Sequence, residues 1–196
     1  MNKISRVCVY CGASPGKHPA YKTMAQRLGK LLASHHIGLV YGGGDVGVMG
    51  DIANAVLQEG GEVIGIIPKA LATKEVAHFG VTEIEIVDSM HTRKARMAEL
   101  SDAFIALPGG IGTMEELFET WTWAQLGYHQ KPVGLLNTAG YYTPLLDFLD
   151  KMVLQGFLQE KQRHMLLVDT NPVHLLEKIS AYRAPAVPQW LAKEEL

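Results

Sequence analysis

Short apolar runs alternate with longer helical segments along most of this chain of 196 residues, and no other feature of the sequence constrains the fold as strongly. Neighbouring parallel strands need a crossover connection, which the segments between the runs can supply. Several runs are apolar without interruption, as expected for strands covered on both faces. The sequence therefore predicts an α/β fold: a doubly wound, mostly parallel sheet of about seven strands with helices on both faces. The seven runs are RVCVYCG, GLVYGGG, EVIGIIP, VTEIEIVDS, AFIALPGG, PVGLLN and MLLVDT.

The composition is that of an ordinary globular domain, with 47% hydrophobic residues, 19% charged residues and a formal net charge of −2. This balance does not favour nucleic acid or a membrane surface as a partner. No apolar run approaches the roughly 20 residues of a membrane span, and the N-terminus lacks the apolar core of a signal peptide, so we expect a cytoplasmic protein. We predict a single domain over residues 1–182 and an irregular tail over residues 183–196.

Ligands of such sheets bind at the carboxyl ends of the strands, so the residues directly after each strand are the candidates for a site. Three of the segments at these positions are rich in glycine or hydroxyl groups, and a fourth carries Arg93 close to a helix start. We expect them to converge on one edge of the sheet. These segments span residues 12–16, 42–44, 89–94 and 108–116.

The segment Gly42-x-Gly44-x-x-Gly47 has the spacing of a dinucleotide-binding motif. However, the next strand ends in Pro68 and Lys69, without the acidic residue that would bind the ribose of NAD. An NAD site is therefore disfavoured. Two interpretations stay open: a tight turn between strand and helix, or a phosphate or sugar contact through Gly43 and Gly44.

Two further segments lack the patterns of ATP, redox or metal sites. GASPGK, residues 12–17, does not have Walker spacing, so ATP hydrolysis is not expected, although Ser14 can donate a hydrogen bond to a ligand. Cys8 and Cys11 form C-x-x-C in a strand rather than at a helix start, which favours buried or half-buried thiols over a redox pair or half a zinc site. The eight histidines show no ligand pairing, so a metal is not implied. We also expect no cofactor.

The segment LPGGIGTMEEL, residues 107–117, combines features that suit opposite charges. Glycines at a helix start let backbone N–H groups bind an anion, yet Glu115 and Glu116 follow closely and would repel it. First-turn acids that only favour the helix dipole would explain one of these glutamates, but not the glycines before them. The position of Arg93 beyond another strand favours its interpretation as a group that contacts a ligand.

These segments resemble the LOG ("lonely guy") family of cytokinin riboside 5′-monophosphate phosphoribohydrolases, whose members were often mislabelled lysine decarboxylases. Pro108 to Glu116 matches the family motif PGGxGTxxE, and MHTRKARM looks like its Met-x-x-Arg-Lys segment. The resemblance covers roughly residues 5 to 180. It implies a Rossmann-like homodimer, with an active site shared between subunits, that releases base and ribose 5-phosphate from an adenine nucleotide.

Carried over residue by residue, the resemblance assigns the catalytic pair to Arg93 and Glu116. Glu75 matches a further contact in a variable loop, and Thr122 lies beyond the main motif. The remaining nucleotide contacts implied are Lys94, Gly109, Gly110, Ile111, Gly112, Thr113, Met114 and Glu115.

A nucleoside 5′-monophosphate needs both halves of LPGGIGTMEEL. Its phosphate suits the glycine N–H groups, and cleavage of its N-glycosidic bond passes through an oxocarbenium-like state that a carboxylate such as Glu116 stabilises. Arg93 would position the nucleotide or stabilise the departing adenine.

The alternative is a nucleotide- or cofactor-binding module without catalysis, because related Rossmann-like proteins include such carriers. Lysine decarboxylation is disfavoured, since Lys94 is the only lysine near the proposed site and no partner for pyridoxal phosphate is visible.

Overall fold

The computed structural model describes residues 3–72 and 77–186, which form one sheet with helices on both sides. Numbered along the chain, the seven strands of the sheet are β1 (Arg6–Tyr10), β2 (Gly38–Tyr41), β3 (Val63–Pro68), β4 (Glu83–Val87), β5 (Ala103–Ala106), β6 (Val133–Leu136) and β7 (Leu166–Asp169). Their order across the sheet is β4-β3-β2-β1-β5-β6-β7, and every neighbouring pair is parallel. The predicted α/β fold is confirmed, and the sheet is parallel throughout rather than mostly so.

Helices follow the strands as the sequence predicts, with two short additions. A four-residue helix begins the stretch after β3, and another precedes β7. One turn is too short to show helical periodicity, so the pattern of apolar residues could not reveal either. The helices in the described part of the chain are α1 (Pro19–Ser34), α2 (Gly47–Gln58), α3 (Lys69–Ala72), α4 (Met90–Glu99), α5 (Ile111–Leu126), α6 (Thr143–Leu154), α7 (Glu160–Arg163) and α8 (Pro172–Ala181).

The two faces of the sheet carry separate apolar layers. Val7 and Val9 of β1 pack with α1, α2 and α8, whereas Cys8 and Tyr10 pack with α4, α5 and α6 on the other face. This division follows from the alternation of side chains along a strand. It explains why the central strands are apolar at every position.

Other expectations from the sequence concern the two cysteines, membrane spans and the C-terminal tail. Cys8 and Cys11 are buried free thiols. Within residues 3–72 and 77–186, no helix is both long and apolar enough to cross a membrane. Residues 187–196, most of the predicted irregular tail, lie outside the described residues, and the extent of the predicted domain stays a prediction.

The strand order reverses between β1 and β5, which lie side by side at the centre of the sheet. Connections from these two strands lead to helices on opposite faces, α1 and α5, so the chain separates above their carboxyl ends. A crevice at such a switch point is the usual ligand site of an open α/β sheet.

Candidate active site

A cleft of about 450 Å³ opens at this switch point. It is formed by the segments after β1 and β5, the first turns of α2, α4 and α5, and the connection before α6. The structure thus brings together most of the segments that the sequence singled out. Its lining consists of Cys11, Gly12, Ala13, Ser14, Pro15, Gly16, Tyr21, Val48, Met49, Met90, Arg93, Pro108, Gly109, Gly110, Gly112, Thr113, Glu115, Glu116 and Tyr141.

The N-terminus of α5 faces the cleft with its backbone. Gly110 precedes the helix without a side-chain capping bond, so the first-turn N–H groups have no partner from a cap. A Cβ at Gly110 or Gly112 would meet none of the described residues within 4 Å, so their packing does not require glycine at either position. The missing side chains leave the N–H groups accessible to an anion, which the helix dipole also attracts.

The two central loops cross closely at Gly12 and Gly109. Gly12 donates its N–H to the carbonyl of Pro108 at 3.1 Å. A Cβ at Gly109 would overlap the Thr113 hydroxyl and come within 2.8 Å of the Gly12 nitrogen. Only glycine fits at position 109, and this close crossing fixes where α5 begins.

Arg93 extends from α4 into the floor of the cleft and is only 6% exposed. Its Nε donates to the carbonyl of Ile66 at 3.1 Å, and its Nη2 donates to the carbonyl of Gly42 at 3.2 Å. Ser89 caps the helix by accepting the Thr92 N–H at 3.0 Å. The guanidinium is therefore held by the ends of β2 and β3 as a fixed positive charge.

Glu116 lies opposite, with its Oε1 at 3.9 Å from Nη2 of Arg93 and 6% of its surface exposed. Burial raises the pKa of the Glu116 carboxyl to about 7, and the Arg93 charge opposes this shift without cancelling it. A carboxyl with a pKa near neutrality beside a fixed cation is typical of a catalytic site.

Lys94 points away from the cleft and joins α4 to α5. Its ammonium donates to Glu115 and, at 3.0 Å, to Glu119. Burial alone would lower the pKa of Lys94, but these two hydrogen bonds raise it above its usual value. Lys94 does not line the cleft; it faces a groove beside Trp123.

Several residues assigned from the sequence do not line this cleft. Ile111 is 86% exposed, Met114 packs against the apolar layer, and Thr122 is exposed further along α5.

Gly43 and Gly44 form backbone contacts with residues 77 and 78, which come after α3 in the chain. The Gly43 carbonyl accepts the His78 N–H at 2.8 Å, and Gly44 forms a bridge with Ala77. Glu75 lies outside the described residues. The roles of all these residues stay predictions.

Two glycines of the dinucleotide-like motif, Gly42 and Gly47, have packing roles. A Cβ at Gly42 would overlap Arg93 Nη2, and a Cβ at Gly47, which has φ of 61°, would lie 2.5 Å from the Ala13 carbonyl carbon. Gly43 also has a positive φ, of 77°. These glycines therefore allow a tight turn and leave space for the Arg93 guanidinium. This favours the interpretation as a tight turn between strand and helix over a phosphate or sugar contact.

Tyr21 and Tyr141 line the cleft but were not predicted from the sequence. Their rings meet edge to face with centroids 5.5 Å apart. Tyr141 belongs to NTAGYY, which directly follows β6, so the rule about strand ends could have identified it. Among the described residues, no group of three or more His, Cys, Asp or Glu side chains could hold a metal ion.

Comparison with known proteins places this chain in a family. Residues 49–179 match the family model described as "Possible lysine decarboxylase". A "Probable cytokinin riboside 5′-monophosphate phosphoribohydrolase" of Oryza sativa subsp. japonica is 52% identical over 92% of this chain and 74% of its own length. A cytokinin riboside 5′-monophosphate phosphoribohydrolase of Arabidopsis thaliana is 51% identical over 92% of this chain and 85% of its own length.

Solved structures share the fold at low sequence identity. The molybdenum cofactor binding protein of Rippkaea orientalis superimposes with a TM-score of 0.67 at 23% identity, covering 91% of this chain and 97% of its own. The molybdenum cofactor carrier protein of Chlamydomonas reinhardtii gives a TM-score of 0.67 at 22% identity, over 92% of this chain and all of its own. At this identity the likeness establishes the fold alone. By its family model and its relatives of about 50% identity, the chain belongs to the family described as possible lysine decarboxylases, alongside members named cytokinin riboside 5′-monophosphate phosphoribohydrolases.

Proposed function

We propose that this protein is a phosphoribohydrolase that cleaves the N-glycosidic bond of adenine-type nucleoside 5′-monophosphates. Its substrates are cytokinin riboside 5′-monophosphate, AMP or both, and its products are the free base and ribose 5-phosphate. The names of its relatives support the activity. The structural observation that carries the proposal is the buried Glu116 carboxyl, 3.9 Å from Arg93, in the same cleft as the uncapped start of α5.

The phosphate binds at the α5 end of the cleft. Among the described residues no side chain caps the first-turn N–H groups of α5, and with the positive end of the helix dipole they attract a dianion there. Ser14 and Thr113, which carry hydroxyls, line the same space. With the phosphate at this end, the ribose reaches toward Glu116, which lies one turn into the same helix.

Glu116 acts on the ribose ring. As the bond between C1′ and the base nitrogen breaks, its electron pair leaves with the base and positive charge develops on the ring. The Glu116 carboxylate stabilises this charge or accepts a proton from the water that attacks C1′, and a proton reaches the departing base. Among the described residues no hydrogen bond donor reaches the Glu116 carboxylate, so it is available to substrate or water.

Arg93 supplies a fixed positive charge on the other side of Glu116. Its hydrogen bonds to two backbone carbonyls hold it in place, so little reorganisation is needed when substrate binds. From this position it orients the nucleotide and stabilises negative charge on the departing base.

Schiff-base decarboxylation has no visible support in this cleft, despite the description of the family model. The described residues that line the cleft include no lysine, and Lys94 is engaged with Glu115 and Glu119. A pyridoxal phosphate enzyme needs a lysine within reach of the cofactor.

A shared homodimeric active site is also part of the proposal. Thr122 supports it, because the residue is exposed on α5 about 14 Å along the helix from Thr113 and does not line the cleft of its own chain. A nucleotide contact from Thr122 would therefore reach the cleft of a second copy. Mixing Glu116→Gln chains with Thr122→Asp chains restores activity if sites are shared, and restores none if each chain works alone. We further propose a cytoplasmic location, which the two free thiols favour.

Product analysis by chromatography tests the activity. Purified protein is incubated separately with AMP and with isopentenyladenosine monophosphate, and Glu116→Gln is expected to lower the rate of base release at least 100-fold. Glu62→Gln removes an exposed carboxylate that pairs with Arg6, and serves as the matched control with unchanged rate. If both nucleotides bind without release of base, a binding module replaces the enzyme.

A further inference from the structure

Tyr141 enters the cleft from a strained turn. It follows Ala139 and Gly140, which have φ of 52° and 73°, and the first of these is a left-handed conformation that costs a non-glycine residue energy. The turn is braced by Asn137, whose side chain accepts the Tyr142 N–H at 2.7 Å and donates to the Thr143 hydroxyl at 3.1 Å. The surrounding structure therefore imposes the position of the Tyr141 ring.

The Tyr141 hydroxyl contacts the backbone at the start of α5. It donates to the carbonyl of Gly109 at 2.6 Å, while the ring packs edge to face against Tyr21. Gly12 donates its N–H to the neighbouring Pro108 carbonyl. Two successive carbonyls before α5 are thus held by hydrogen bonds.

The Gly109 carbonyl and the Gly110 N–H belong to one planar trans peptide unit and point in opposite directions. A peptide between two glycines has few steric barriers to rotation, because neither neighbour carries a Cβ. A hydrogen bond that fixes the carbonyl therefore also fixes the direction of the N–H. Among the described residues, no acceptor bonds the Gly110 N–H, which precedes the uncapped first turn of α5.

We propose that Tyr141 is a positioning residue that locks the Gly109–Gly110 peptide plane, so that the Gly110 N–H is held ready for the phosphate of a bound phosphate monoester. The inference rests on the proposed function and adds a residue to its phosphate site. Without the hydroxyl, the peptide samples other orientations, and binding must select one of them at a cost in affinity.

The test is Tyr141→Phe, which keeps the ring and removes only the hydroxyl. Calorimetric titration with ribose 5-phosphate is expected to give a Kd about three- to tenfold higher than the wild-type value, the range expected for loss of one hydrogen bond. The KM for AMP rises by a similar factor with kcat nearly unchanged, because the lost interaction is made equally in ground and transition states. Inhibition by adenosine, which lacks the phosphate, stays the same.

Tyr142→Phe is the matched control. It removes a phenol hydrogen bond of 2.7 Å to the Leu107 carbonyl, two residues before Gly109 and buried in the core. This variant is expected to lower the Tm while the Kd for ribose 5-phosphate stays within about twofold of wild type. An equal loss of affinity in both variants would show a general effect of stability and overturn the role of Tyr141.

Two further outcomes separate this inference from the proposed function. In the first, wild-type protein binds ribose 5-phosphate and cleaves AMP, but Tyr141→Phe has the same Kd for ribose 5-phosphate, or its inhibition by adenosine weakens by the same factor as that Kd. Only the positioning role is then overturned. If the wild-type protein binds no phosphate monoester, the proposed function is overturned together with it.

Discussion

Arg93 contacts Gly42 so closely that position 42 has no room for a side chain. The guanidinium Nη2 donates to the Gly42 carbonyl at 3.2 Å and fills the volume in which a side chain at position 42 would begin. The glycine at the end of β2 therefore leaves space for the arginine of α4, and this contact holds the guanidinium close to Glu116. Any side chain at position 42 must displace a group that we place in the active site.

Gly42→Ala is expected to abolish most base release while the protein still folds. The new methyl group would overlap Arg93 Nη2, and a charge displaced by even 1 Å loses much of its effect on a transition state. We expect kcat/KM to fall about 100-fold. Gly60→Ala is the control, because a Cβ there meets no atom of the described residues within 4 Å while φ of 73° still imposes backbone strain. Equal losses in both variants would contradict the steric account.

The pH dependence of kcat/KM is expected to follow Glu116. Burial raises the pKa of this carboxyl to about 7, so the carboxylate form becomes populated as the pH rises from 6 to 8. If the carboxylate is the active form, kcat/KM increases over this interval with a midpoint near 7. The second ionisation of the substrate phosphate lies near 6 and can be measured separately. A rate that falls as pH rises would show that the protonated acid is the active form.

Lys94→Met tests whether Lys94 contacts the nucleotide or ties α4 to α5. In the structure Lys94 lies outside the cleft and pairs with Glu115 and Glu119, so we expect the Kd for ribose 5-phosphate to change less than threefold. Lys94 also lowers the pKa of Glu116, so the variant should move the midpoint of the pH–rate profile upward. A large loss of phosphate affinity with an unshifted midpoint would favour the contact that the family resemblance implies.

Stability between pH 7 and pH 4.5 reflects two opposing groups. Glu116 has a raised pKa of about 7, so the folded state takes up a proton before the unfolded state does and stability rises as pH falls. Burial lowers the pKa of His129 to about 4, so the unfolded state takes up the proton first and stability falls as pH falls below about 6.5. Each effect is at most about 3 kcal/mol.

Chemical denaturation across this pH range separates the two contributions. Glu116→Gln is expected to lose stability on acidification more steeply than wild type, because only the His129 effect remains. His129→Gln is expected to gain stability over the same interval. Identical pH slopes in all three proteins would contradict both assignments.

The sequence alone determined the architecture. Seven apolar runs separated by helical segments specify a parallel sheet, because strand period, helix period and crossover connections are all local properties of the chain. The same local rules identified four strand ends as candidates for a site, of which the ends of β1 and β5 line the cleft, and the motif PGGxGTxxE identified the family.

Only the tertiary structure decided which of two adjacent cations enters the cleft. Arg93 and Lys94 are neighbours in α4, yet helical geometry turns one toward Gly42 and the other toward Glu119. The tertiary structure also showed that Gly42 leaves space for the Arg93 guanidinium and that the Tyr141 hydroxyl donates to the Gly109 carbonyl. These contacts join residues 25 to 51 positions apart, and depend on how helices and loops pack over the sheet, so no local pattern contains them.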